Sequence, residues 1–169
     1  MRWRFTDKVL SFTPWQAVVT LKAGSLEEYS LLERWGRPGE APVVLALEAC
    51  IQSARWLVEA SSAFSQSIEP LEIAHWRVME GLRPGERLRI SLRVEERSAE
   101  HICFKVWQER LLPGQTEVCA SVSSGASMSP ACDLPDAAEP DLLFSAALVP
   151  LEERFLPRDR EYLWRELSA

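Results

Sequence analysis

The stretch from Pro42 to Ser61, "PVVLALEACIQSARWLVEAS", constrains the fold more than any other part of this chain. Its proline stands at the start, where a missing N–H costs a helix nothing. Val43, Ala46, Leu47, Cys50, Ile51, Ala54, Leu57 and Val58 cover much of the helical circumference. Val44, Leu45, Ala49 and Trp56 flank what remains. A helix that is apolar nearly all round belongs in an interior. The rest of the chain must therefore supply a layer that wraps it.

One polar stripe interrupts this surface. At about 100° per residue, Gln52, Arg55 and Glu59 fall within about 40° of Glu48. The stripe faces either a window of solvent or an internal site. Glu48 has Val44 four residues before it and Ile51 three residues after it. Desolvation there disfavours a charged carboxylate and raises its pKa. A carboxyl group that keeps its proton near neutral pH can serve as a general acid. The plainer alternative is a hydrogen bond from Glu48 to Gln52 or to a neighbouring strand. Arg55 and Glu59, one turn apart, read as a solvated or interface ion pair.

Strands account for most of what surrounds the helix. "DKVLSFT" and "WQAVVTLKA" read as two strands joined near Pro14. "LEIAHWRVM", "ERLRISLRVEER", "EHICFKVWQERL" and "TEVCASVSS" read as four more, with turns at "RPG", "SAE" and "PGQ". In the second of these, Leu88, Ile90, Leu92 and Val94 alternate with Arg87, Arg89, Ser91 and Arg93, which predicts a sheet with one wet face. "GSLEEYSLLERWG" carries a capping box at Ser25 and Glu28 and ends at Gly36, so a short amphipathic helix is expected there. Residues from Ala126 to Asp141 shift to Ala, Ser, Pro and Asp and read as a linker or irregular arm. Leu163, Trp164 and Leu167 predict a short closing helix. The fold class is α+β.

Composition removes several function classes. The net charge of -6 gives no basic footprint for general nucleic-acid binding. No run of about 18 apolar residues reads as a membrane span, and no secretory apolar run follows Arg2 and Arg4. A cytoplasmic protein is the expectation. Cys50, Cys103, Cys119 and Cys132 form no C-x-x-C pair, so they read as small apolar residues and no metal or cofactor is called for.

The helix and its flanks resemble a known family. "PVVLALEACIQSA" is similar to the P-G-V-L-x-x-E-A-x-x-Q pattern of the 3-hydroxyacyl-[acyl-carrier-protein] dehydratases, with Pro42, Val44, Leu45, Glu48, Ala49 and Gln52 matching. "RPGERLRI" resembles the family's R-P-G-D-x-L stretch, and "DKVL" its D-R-V-L opening. The matches span roughly Asp7 to Ser124. The resemblance implies a hotdog fold: a long central helix wrapped by a curved antiparallel sheet of about six strands. It implies a hotdog domain over 1–125, with 126–169 left as a C-terminal arm and short helix packing on the domain or a partner.

The resemblance also implies dehydration of a 3-hydroxyacyl thioester carried on acyl carrier protein or coenzyme A, by a homodimer or a heterodimer with a related hotdog subunit. Glu48 then stands at the acid that protonates the departing hydroxyl. Gln52 stands at the glutamine one turn later, and the backbone N–H groups at Val43 and Val44 stand where the thioester carbonyl is polarised. The family's histidine base sits in a G-H-F-P loop fourteen residues before the acid. Here that position is Arg34, followed by Trp35, within "ERWG". Arginine stays protonated and cannot act as a base. His75 is the candidate replacement.

Three readings stay open. One is a catalytically reduced subunit that binds acyl thioesters at Val43, Val44, Gln52, Arg34 and Trp35 and depends on a partner for its base. Another is a self-sufficient dehydratase or thioesterase using Glu48. The third is a binding module without acyl chemistry, its tunnel filled by tryptophan. On the wet strand face, Arg87, Arg89 and Arg93 form a candidate docking surface for an acidic carrier protein, or simply a solubilised face.

Overall fold

Leu88, Ile90 and Leu92 are buried along a strand whose intervening positions are arginine and serine. That alternation places one face of the sheet against a core, as the period of 2 requires. The protein is described by a computed structural model covering residues 6–24, 43–77, 82–113 and 138–151. Its elements are β1 (Lys8–Thr13), β2 (Ala17–Ala23), α1 (Val43–Ser61), β3 (Gln66–Trp76), β4 (Arg87–Arg97), β5 (His101–Leu111) and β6 (Leu142–Pro150). The six strands form one antiparallel sheet in the order β1-β2-β4-β5-β6-β3.

α1 lies against one face of this sheet. It buries Ala49, Cys50, Ala54, Leu57 and Val58 against Val18, Ile68, Leu88, Ile90, Leu92, Ile102, Val106 and Leu142. Each large aliphatic side chain removed from water there stabilises the fold by about 1.5–3 kcal/mol. Phe104 and Phe144 pair across β5 and β6 with ring centroids 4.9 Å apart. Two hydroxyls are also enclosed: Thr20 Oγ1 and Ser53 Oγ lie 2.7 Å apart, and Ser53 donates to the Ala49 carbonyl. The helix ends in two consecutive left-handed residues, Ala63 and Phe64. The Phe64 N–H bonds to the Glu59 carbonyl at 2.7 Å while its ring is buried, and these contacts hold a conformation that side chains otherwise avoid.

Two expected turns form as read. Arg83–Glu86 closes with the Glu86 N–H on the Arg83 carbonyl, Pro84 and Gly85 sit at its centre, and Gly85 supplies the positive φ of 81°. Ser98–His101 closes the hairpin between β4 and β5. Gly24 at the end of β2 meets the first turn so closely that a Cβ would lie 2.4 Å from the Arg83 carbonyl oxygen.

Two strands differ from expectation. β3 begins at Gln66, five residues before the expected start at Leu71, because Ile68 enters the core there and Pro70 sits on an edge strand, where a missing N–H is harmless. β6 arises from a segment set apart as a C-terminal arm. It lies within the sheet, between β5 and β3, with Leu142, Phe144 and Ala146 in the core. The expected helix over 25–36, the expected strand over 116–124 and the closing helix near Leu163, Trp164 and Leu167 lie outside the described residues. No helix among the described residues is long and apolar enough to cross a membrane.

Candidate functional site

The polar stripe of α1 divides into parts with different fates. Gln52 and Trp56 grip the segment that precedes β1. Gln52 Oε1 accepts from the Thr6 N–H at 2.9 Å and from its hydroxyl at 3.1 Å, and Trp56 Nε1 donates to the same hydroxyl at 2.9 Å. Glu59 turns inward rather than forming a surface pair. It is buried and accepts the Ser67 hydroxyl at 2.7 Å, which ties the end of α1 to the start of β3.

Glu48 has neither role. It is half-buried and has no hydrogen-bond or ion-pair partner among the described residues, so the expected bond to Gln52 is absent. One turn earlier, Val44 is 56% exposed. Val43, the first residue of α1, is half-buried. The first turn holds no acidic side chain, so nothing in it offsets the partial positive charge of a helix start. Helical spacing thus sets the exposed Val44 side chain, the backbone N–H groups of the first turn and a carboxyl group along one edge of α1.

Other expected site residues fall elsewhere. Arg34 and Trp35 lie outside the described residues. His75 is exposed on β3, at the sheet edge, and no bond joins it or His101 to Glu48 among the described residues. Arg87, Arg89 and Arg93 project from the sheet face opposite α1, since their neighbours Leu88, Ile90 and Leu92 point at the helix. Arg89 reaches Glu109 across the strands at 3.6 Å, and Lys105, beside Arg93, pairs with Glu95. The sheet therefore separates this basic face from Glu48, and acids on the same face temper its charge.

A polar chain that runs from the buried Cys50 on α1 out to the exposed Arg77 was not legible in the sequence. The Gln108 carboxamide donates to Cys50 Sγ at 2.8 Å, the Gln108 N–H donates to Asp141 Oδ2 at 2.7 Å, and Asp141 Oδ1 accepts from Arg77 Nε at 2.8 Å and from Arg77 Nη2. Burial, against a smaller opposing effect from Gln108, pushes the Cys50 thiol up to about 12. Asp141 in turn raises the Arg77 pKa by hydrogen bonding and charge. Gln108 Oε1 and Trp76 Nε1, an acceptor and a donor, are both buried without partners. No sequence motif marks this chain, because β6 brings Asp141 to Gln108 from 33 residues away. Among the described residues no group of His, Cys, Asp and Glu side chains is placed to hold a metal ion.

The architecture has counterparts among solved structures. The protein smu.793 of Streptococcus mutans UA159, bound to acetyl-CoA, superimposes with a TM-score of 0.56 at 12% identity over 90% of this chain and 96% of its own. The fold is a hotdog. Zebrafish thioesterase superfamily member 2 gives a TM-score of 0.49 at 10% identity, covering 85% of this chain and 80% of its own. A hypothetical thioesterase of Streptococcus pneumoniae TIGR4, with coenzyme A, gives 0.49 at 11% identity, covering 86% and 84%. No protein-family model matches the sequence, and no curated protein matches it.

Proposed function

We propose that this hotdog chain binds an acyl thioester of coenzyme A or acyl carrier protein, its carbonyl at the start of α1 and its acyl carbons beside Glu48. The observation that carries this reading is the Glu48 carboxyl group, half-buried on the central helix and unengaged by any described residue. A group that stabilised only the fold would hold a protein partner, as Gln52 and Glu59 do. The hotdog structure bound to acetyl-CoA supports the ligand class.

The chemistry that fits is that of a dehydratase-like subunit. Removing water from a 3-hydroxyacyl thioester needs a base for the α-proton and an acid for the departing hydroxyl. Glu48 supplies the acid. The N–H groups at Val43 and Val44 stabilise the charge that develops on the thioester oxygen. With arginine at position 34, the base comes from a second, related hotdog subunit, or turnover is reduced to binding. A second reading is favoured by the lack of any bond between Glu48 and a described histidine. In it Glu48 alone activates water to hydrolyse the thioester.

Calorimetric titration of the full chain with acyl-CoA tests the ligand class, and no saturable heat would remove both readings. Turnover of 3-hydroxyacyl-CoA and saturated acyl-CoA by wild type and Glu48→Gln separates them. Dehydration or hydrolysis lost in Glu48→Gln, with binding retained, supports Glu48 as the reacting group. Equal rates in both proteins would exclude it.

A further inference from the structure

Two bonds fix how α1 lies on the sheet. The Trp15 N–H donates to Ser61 Oγ at 2.8 Å, and Thr20 Oγ1 lies 2.7 Å from Ser53 Oγ. β2 therefore runs opposite to α1, and its Ala23 end points to the start of the helix. Across the sheet, Thr20 pairs with Ile90 and Ile90 with Gln108. Gln108 meets Cys50, so this row lies beneath Cys50 and Ser53. The next row on the same face is Lys22, Leu88 and Arg110. Two strand residues advance about 6.6 Å, the rise of about four helical residues. The second row is thus level with Ala46 and Ala49, on the turn that also carries Glu48.

This row puts two cations on the side of the sheet that faces the helix. Lys22 is only 3% exposed and donates to the Ala23 carbonyl at 3.0 Å. The Arg110 side chain is 21% exposed, and its Nη1 lies 3.6 Å from Glu86 Oε2, which also accepts the Arg83 N–H. Core filling alone calls for an aliphatic residue at such positions, as at Leu88 between them. Adjacent strands stand about 4.8 Å apart, so the two cationic side chains are rooted about 10 Å from each other. Above them α1 offers only the methyl groups of Ala46 and Ala49. We infer that the Lys22–Arg110 row reads a carboxylate on the acyl group, so that the ligand is a dicarboxylic acyl thioester. The inference rests on the thioester reading, which sets the carbonyl at the start of α1 and the acyl carbons beside Glu48. From there the acyl chain needs only to pass the Ala49 methyl to bring its far end to this row. A carboxylate drawn out of water needs cationic partners, and an ammonium and a guanidinium supply charge-assisted hydrogen bonds to it. Leu88, between them, supports the methylene carbons.

Calorimetric titration of the full chain with adipyl-CoA and with hexanoyl-CoA tests it. The two acyl groups have equal carbon counts and differ in the terminal carboxylate. Wild type should bind adipyl-CoA at least about tenfold more tightly than hexanoyl-CoA. Lys22→Met and Arg110→Met should each cut that preference by about tenfold. Arg110→Lys, which keeps the charge, should retain most of it. The preference is a ratio of two affinities on one protein, so a general loss of stability does not imitate the effect, and far-UV circular dichroism confirms that each variant is folded. Equal affinity of wild type for the two ligands would overturn the inference and leave the thioester reading standing. A preference that survives both methionine substitutions would overturn it as well. Absence of saturable heat with either ligand would remove the inference together with the thioester reading.

Discussion

Gln52 holds Thr6: one carboxamide oxygen on the central helix accepts both the backbone N–H, at 2.9 Å, and the hydroxyl, at 3.1 Å, of a residue 46 positions earlier. Trp56 completes the grip from the next turn. Gln52, which the sequence marks as a substrate contact, thus has its side-chain oxygen in use within the fold. Gln52→Leu leaves the nearly buried Thr6 N–H without this acceptor and should lower unfolding free energy by about 1–3 kcal/mol. Urea unfolding checks it. Thr6→Val combined with Gln52→Leu should cost less than the sum of the two single changes, because both remove one network.

Asp141 anchors the entry to β6. Its carboxylate takes the Gln108 N–H and the Arg77 guanidinium, while its own N–H bonds to the Val106 carbonyl at 2.9 Å. Asp141→Ala leaves a buried backbone donor without a partner and should destabilise by about 1–3 kcal/mol. Cutting the chain after residue 125 should do more. It removes the strand between β5 and β3, and with it Leu142, Phe144 and Ala146 from the core. Thermal unfolding of that fragment should show no cooperative transition.

How much of this was legible in the sequence depended on whether the signal was local. α1 could be read because its apolar residues repeat around one helix, and β4 because leucine and isoleucine alternate with arginine. β6 was not, since "LLFSAALVP" follows a stretch rich in Pro and Asp and its apolar residues do not alternate. Partnership with strands on both sides makes it a strand, and that lies outside any local window. Glu48 was legible as a carboxyl on an apolar helix. Which neighbours would occupy Gln52 and Glu59 was not, because Thr6 and Ser67 arrive from other elements.

Cys50 should behave as an inert thiol. Its pKa is raised from 9.0 to about 12, chiefly by burial. The unfolded chain therefore loses this proton at lower pH than the folded chain. Any contribution to stability is fully present below about pH 9 and is lost as pH rises toward 12. Stability measured by chemical unfolding should fall across that window, and Cys50→Ala should flatten the fall. In native protein, iodoacetamide should modify Cys103, which is half-exposed, well before Cys50, as read by mass mapping of the labelled peptides.

Glu48 offers the sharpest contrast between fold and function. It sits half-buried, and no hydrogen bond or ion pair joins it to another described residue, so among the described residues it contributes no polar contact to the fold. Residues kept for chemistry commonly cost stability in this way. Glu48→Leu should therefore leave thermal stability unchanged or raise the unfolding free energy by about 0.5–1 kcal/mol, whereas Gln52→Leu, on the same stripe, should lower it. If Glu48→Leu instead destabilised the protein by more than about 2 kcal/mol, the carboxyl group would be a structural one. Its role against a bound thioester would then lose its footing, and the comparison needs only two variants and one denaturant.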